Sequence, residues 1–133
     1  QHAFRQQVAA LNKLAKTYGD VAAFFVVYIR EAHAADGVWP MPIRGEEPVH
    51  TAKTYDDRCA TAGKCALKLS IEFPALVDDM NDSTEKAYDA WPDRLFVVDT
   101  DGKIAVRAKP GPWGFKPAVD EAAAWLAKRF PGR

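Results

Sequence analysis

From Val21 to Ile29 the only polar side-chain atom is the Tyr28 hydroxyl, and Arg30-Glu31-Ala32-His33 follows without a transition. This apolar run is too short to cross a bilayer, which takes about 20 residues. It suits a strand buried on both faces, the kind found in the parallel sheets of α/β domains. Such sheets gather functional groups at the carboxyl ends of their strands. Here that end offers Tyr28, Glu31 and His33, followed by the turn signal Asp36-Gly37. A phenol, a carboxylate and an imidazole could converge there. The same three residues also read as a core aromatic, a solvated acid and a loop cap, and spacing alone leaves both readings open.

Around this run the hydrophobic periodicity predicts the other elements. Phe4, Val8, Leu11, Leu14 and Tyr18 share one face of a helix over 4–18, with Gly19 as its carboxyl cap. Residues 38–53 carry Pro40, Pro42, Gly45 and Pro48 and form a long irregular loop, which with Trp39, Met41, Arg44 and His50 reads equally as a pocket wall or a surface excursion. A second helix covers 54–69, placing Cys59 within its buried stripe and Cys65 at the flank. A short strand over 73–78 ends in the acidic stretch Asp78-Asp79-Met80-Asn81-Asp82, which lacks the glycine and distal glutamate of a calcium loop, so no metal site is expected. Ser83 or Thr84 caps a short helix that Pro92 ends. Strands over 94–99 and 104–108 join through Asp101-Gly102 as an antiparallel hairpin. A rigid aromatic turn over 111–117 then leads into a last helix that buries Val119, Ala122, Ala123, Leu126 and Phe130.

The length of 133 residues suits a single domain over 1–133. With 18 basic and 18 acidic residues the net charge is zero, which leaves no electrostatic footprint for nucleic acid or an anionic membrane. No membrane span or signal sequence is evident, and the chain reads as soluble. Cys59 and Cys65, if on one helix, lie about 9 Å apart along its axis, too far for a disulfide. Two free thiols lean toward a reducing, cytoplasmic setting. Because the chain opens on Gln1 and not methionine, upstream residues are expected to have been removed.

Helix, strand, helix, strand, short helix, hairpin, helix is the order a thioredoxin-like α/β domain shows after its first strand. The expected fold is therefore a mixed sheet of mostly parallel strands, with a carboxyl-terminal antiparallel hairpin and flanking helices. Its first strand is absent from 1–133, so the domain is expected to be incomplete at its amino end. A sheet lacking that strand would need it from upstream residues, from a partner chain, or from a second copy in a homo-oligomer.

Three motifs carry a resemblance. Tyr28-Ile29-Arg30-Glu31-Ala32-His33-Ala34-Ala35-Asp36-Gly37, Ala90-Trp91-Pro92-Asp93-Arg94-Leu95-Phe96 and Gly111-Pro112-Trp113-Gly114-Phe115-Lys116-Pro117 together resemble the iodothyronine deiodinase family. That family carries Y-I-E-E-A-H-x-S-D-G-W, P-E-R-L-Y and G-P-W-x-Y-x-P in the same order. More distantly the chain is similar to peroxiredoxins, in which an arginine at the position of Arg94 faces the reactive thiolate. The resemblance implies a thioredoxin-like fold and reductive removal of iodine from a small aromatic substrate, with a thiol reductant as electron donor and no bound cofactor. It assigns Glu31 and His33 to proton relay and substrate orientation, Tyr28 to their support, and Arg94, His50 and Trp113 to substrate binding.

The resemblance also places the family's selenocysteine or cysteine nucleophile at Gln1, which offers no nucleophilic atom. Arg30 stands where the family has an acid. The expected function is thus a deiodinase-like oxidoreductase, inactive as the chain stands. The alternatives are a non-catalytic binding or assembly module, and a peroxiredoxin-like thiol peroxidase using Cys65 or Cys59.

Overall fold

The computed structural model describes residues 2–133, so the assignment of the nucleophile position to Gln1 lies outside the described residues. Five helices and four strands follow in the order α1 (His2–Arg5), α2 (Val8–Tyr18), β1 (Val26–Tyr28), α3 (Tyr55–Lys68), β2 (Ala75–Val77), α4 (Ser83–Tyr88), β3 (Phe96–Val98), β4 (Ile104–Arg107) and α5 (Phe115–Arg129) among the described residues. The amino-terminal helix is divided at Gln6-Gln7, where the expectation was one continuous helix. Gly19 closes α2 at φ −63°, and its lack of a side chain matters for space: a Cβ there would lie 2.5 Å from the Ala15 carbonyl oxygen.

The first strand is shorter than its apolar run. β1 pairs in parallel with β2, Val26 opposite Ala75 and Tyr28 opposite Val77. Val26 N–H donates to Pro74 O at 3.0 Å and Asp78 N–H to Tyr28 O at 2.9 Å. The next rung, toward Phe24 O, would need an N–H on residue 74, and proline has none. At the other end Asp78 leaves the ladder, and its carboxylate accepts from the N–H groups of Thr84 and Glu85 at 2.9 Å each. This carboxylate, together with Asp79 Oδ1 on Ser83 N–H, caps α4, in place of the expected Ser83 or Thr84 hydroxyl. The acidic stretch has a second structural role. Buried Arg58 donates to Asp79 O at 2.7 Å and to Asp82 Oδ1 at 2.9 Å, tying α3 to the start of α4.

Helix α3 starts as its sequence predicts, with a reciprocal capping box between Thr54 and Asp57. Its buried residues are Arg58 and Ala62, whereas Cys59 and Cys65 are half-buried and not joined in a disulfide. β3 and β4 form the expected antiparallel hairpin, with Gly102 at φ +80° in the turn. Helix α5 takes in Phe115, Lys116 and Pro117, which the sequence assigns to the preceding turn. Leu11 of α2 packs with Phe115 and Val119 of α5, joined by Phe4, Leu14, Phe73 and Leu95.

The strands do not make the single mixed sheet expected. They form two two-stranded sheets, β1 with β2 and β3 with β4. Between them lies a cavity of about 2280 Å³, lined by β1, β3 and side chains of α2, α3 and α5. β1 is consequently half-buried and not enclosed on both faces, and Phe25 just before it is 56% exposed. No helix among the described residues is long and apolar enough to cross a membrane.

Candidate functional site

The carboxyl end of β1 assembles the three residues that sequence spacing places there. Tyr28 Oη donates to Glu31 Oε2 at 2.8 Å, and His33 N–H approaches Glu31 Oε1 at 3.4 Å. The chain leaves β1 at Tyr28 and bends back, so a residue three positions on meets the strand's last side chain. Burial first, and then the negative charge of Glu31, push the Tyr28 phenol well above its usual range, so it stays protonated as a donor. His33 Nδ1 lies 3.0 Å from Trp39 O. A carbonyl only accepts, so Nδ1 is the donor in this contact. The Trp39 ring meets the imidazole edge-on at 4.5 Å between centroids. Tyr28, Glu31 and His33 all line the large cavity.

The other residues singled out in the sequence lie elsewhere around this centre. Arg94 also lines the cavity, but its guanidinium is engaged: Nε donates to Ala108 O at 2.8 Å, one terminal nitrogen donates to Asp89 O at 3.0 Å, and the group stacks over Phe96. His50 lines a separate cavity of about 170 Å³ that it shares with Tyr28, Arg30 and Glu31. Trp113 is 89% exposed and lines neither cavity, which separates it from the group it was expected to join. The Pro-rich loop does form a wall: Pro40, Met41, Pro42 and Ile43 face the large cavity.

Several residues of the quoted motifs have surroundings that no sequence signal announces. Arg30 pairs with Glu85 of α4 at 2.7 Å and lies over the Trp91 ring at 4.9 Å, while Trp91 sits 6.4 Å from Trp39. The arginine that replaces an acid in the first motif thus has its own acid on a distant helix, a pairing no local pattern announces. Asp93 is buried with both carboxylate oxygens unpartnered, and burial pushes its carboxyl above the usual range. Gly111 leaves it room, since a Cβ there would lie 1.5 Å from Asp93 Oδ1. Burial likewise pushes the Cys65 thiol up, with the Glu31 carboxylate adding to the effect. No group of three or more histidine, cysteine or acidic side chains placed to hold a metal occurs among the described residues.

Fold and site together define an α/β domain that presents a phenol, a carboxylate and an imidazole at the end of a parallel strand. Comparison with known proteins narrows this class. The family model for iodothyronine deiodinase matches residues 2–130. The type I iodothyronine deiodinase of Xenopus laevis is 33% identical over 126 residues, covering 95% of this chain and 47% of that protein. The thyroxine 5-deiodinase of Sparus aurata is 33% identical over 126 residues, covering 92% and 44%. The type II iodothyronine deiodinase of Rattus norvegicus is 31% identical over 134 residues, covering 98% and 49%. The chain belongs to the iodothyronine deiodinase family. It spans about half the length of the curated relatives it matches.

Proposed function

We propose that this domain is the substrate-binding and proton-handling part of a thioredoxin-like, deiodinase-type oxidoreductase that removes iodine from a small iodinated aromatic. The observation that carries this reading is the Tyr28–Glu31 hydrogen bond at the end of β1, with the His33 N–H turned to the same carboxylate and its Nδ1 held by the Trp39 carbonyl. In the reaction, a thiolate or selenolate attacks the iodine atom and the carbon–iodine electron pair stays on the ring carbon. That carbon takes a proton, delivered through Glu31 and His33. The chalcogen–iodine bond is then reduced by an external thiol, which releases iodide and leaves a mixed disulfide or selenenyl sulfide for a second thiol to open.

Glutamine at position 1 cannot start this sequence, and a raised thiol pKa makes Cys65 a poor substitute at neutral pH. The same raised pKa weighs against a thiol peroxidase based on Cys65. Gln1 favours a second reading, a module that keeps the pocket without the chemistry. Iodide release from an iodinated phenol with a dithiol reductant separates the two. The chain as it stands should release iodide at background rate, and Gln1→Cys should raise that rate. Adding Glu31→Gln to Gln1→Cys should remove about 100-fold of the gain, the scale of a lost general acid. Turnover by the unmodified chain that survives replacement of Cys59 and Cys65 by serine would refute the missing-nucleophile reading. An inert Gln1→Cys variant would favour the binding module.

A further inference from the structure

Arg30 reverses the charge that the family pattern carries at its position, and its contacts run in a line that ends on His33. Its Nε donates to Glu85 Oε2 at 2.7 Å, and Glu85 is buried. The guanidinium lies over the Trp91 ring, 4.9 Å from the centroid and within cation–π range. Trp91 in turn meets Trp39 at 6.4 Å between centroids, and Trp39 meets the His33 imidazole edge-on at 4.5 Å. Both separations are those of interacting aromatic pairs. An acid at position 30 would be repelled by Glu85 and by the negative face of the indole, so this line is a property of the arginine. The indole N–H of Trp91 is buried without an acceptor. No hydrogen bond fixes that ring, and the guanidinium over its face takes that part.

The far end of the line needs such support. Among the described residues the backbone of 38–42 makes one hydrogen bond, from His33 Nδ1 to Trp39 O at 3.0 Å. Pro40 and Pro42 have no N–H to offer, and the Val38 side chain is exposed. The position of Trp39 O therefore depends on the contacts of the Trp39 ring, which meets His33 on one side and Trp91 on the other. We propose that Arg30 is a positioning residue for His33: anchored by Glu85, it fixes the Trp91 ring, which fixes Trp39 and with it the carbonyl that orients the imidazole. The inference rests on the reading of His33 as a proton-handling group and adds the support that holds it. The Tyr28–Glu31 hydrogen bond is not on this line. The two halves of the site should therefore respond separately to substitution.

Nitrogen-15 NMR of the imidazole rings tests the assignment, with the His33 signals picked from those of the three histidines by their absence in His33→Gln. In the parent the neutral His33 ring should be a single Nδ1–H tautomer, as its bond to Trp39 O requires. Arg30→Gln removes the cation but keeps an N–H for Glu85, and Trp91→Leu removes the aromatic face. Each should replace the single tautomer by the mixture that a solvated histidine shows, while Trp91→Phe, which keeps a ring face, should restore it. Tyr28 should still ionise last in all three variants, which a general loosening of the strand end would not allow. An Arg30→Gln protein that keeps the parent's tautomer would overturn the proposal, as would a Trp91→Phe protein no better ordered than Trp91→Leu. Loss of the late Tyr28 ionisation together with the tautomer would also overturn it, and would make Arg30 and Trp91 supports of the fold alone. These spectra need no turnover, so their outcome is separate from iodide release by Gln1→Cys, which decides the reading of the reaction.

Discussion

Tyr28 and Glu31 show how a residue's role depends on its neighbour three positions along the chain. The carboxylate is held by the phenol and by the His33 N–H, and the phenol is held protonated by burial and by that carboxylate. A raised phenol pKa stabilises the folded protein fully below the free tyrosine value of 10.0, and this stabilisation is lost as pH rises beyond it. In an ultraviolet titration of the four tyrosines, Tyr28 should ionise last, after Tyr55, whose phenol is also raised by its hydrogen bond to Cys59. Glu31→Gln should bring that ionisation earlier without returning it to the free value, because burial remains. Tyr28→Phe should remove the late component and leave the other tyrosines unchanged. A latest-ionising component that is unchanged in Tyr28→Phe would assign the most perturbed phenol elsewhere. This constellation is legible in the sequence because all its members lie within six residues of one strand end. Arg94 is legible as a motif residue, but its bonds to Ala108 O and Asp89 O depend on the hairpin and the end of α4, which no local pattern reports.

Among the elements, α3, α5 and the hairpin follow the sequence closely, since their signals are local: the Thr54 and Asp57 capping box, the Asp101-Gly102 turn and the spacing of Val119, Ala122 and Leu126; the amino-terminal helix instead divides at Gln6-Gln7. β1 departs from its run because its length is set by its partner, where Pro74 ends the ladder. The Pro-rich loop is fixed by charge as well as by packing. Glu46 accepts from Arg5 of α1 at 2.9 Å and lies 2.8 Å from Lys68 Nζ of α3, joining three segments distant in sequence. The Arg5 and Lys68 hydrogen bonds hold its carboxyl at about 2, below the usual 4.5. A depressed carboxyl contributes stability above its unfolded pKa that is lost as pH falls toward the folded value. Glu46→Gln should therefore be less stable than the parent at pH 6, and the difference should close between pH 4.5 and about 2. Thermal unfolding across that window checks it. Molar salt should shrink the difference, because the half-buried group is still reached by solvent. A gap that persists unchanged at pH 2 would mean that the side chain acts through packing and not through charge.

For the whole molecule, family membership and the α/β class are legible from three motifs in order, whereas closure of the sheet is not. Pairing between β1 and β3 is a long-range matter, and the run over 21–29 reads the same whether its second edge meets a strand or a cavity. The walls of that cavity bring the end of β1, the Pro-rich loop and the hairpin around one space, and a ligand seated at the end of β1 would meet Tyr28, Glu31 and His33 together. Iodine's strong anomalous scattering allows the position of an iodinated ligand to be seen directly. The most direct measurement is the anomalous difference density of crystals of this protein grown with an iodinated phenol. An iodine peak in the cavity beside Tyr28, Glu31 and His33, weakened by Glu31→Gln, is the expected result. Iodine found only at the exposed Trp113, or an unchanged peak in the variant, would contradict the assignment of this strand end as the site of dehalogenation.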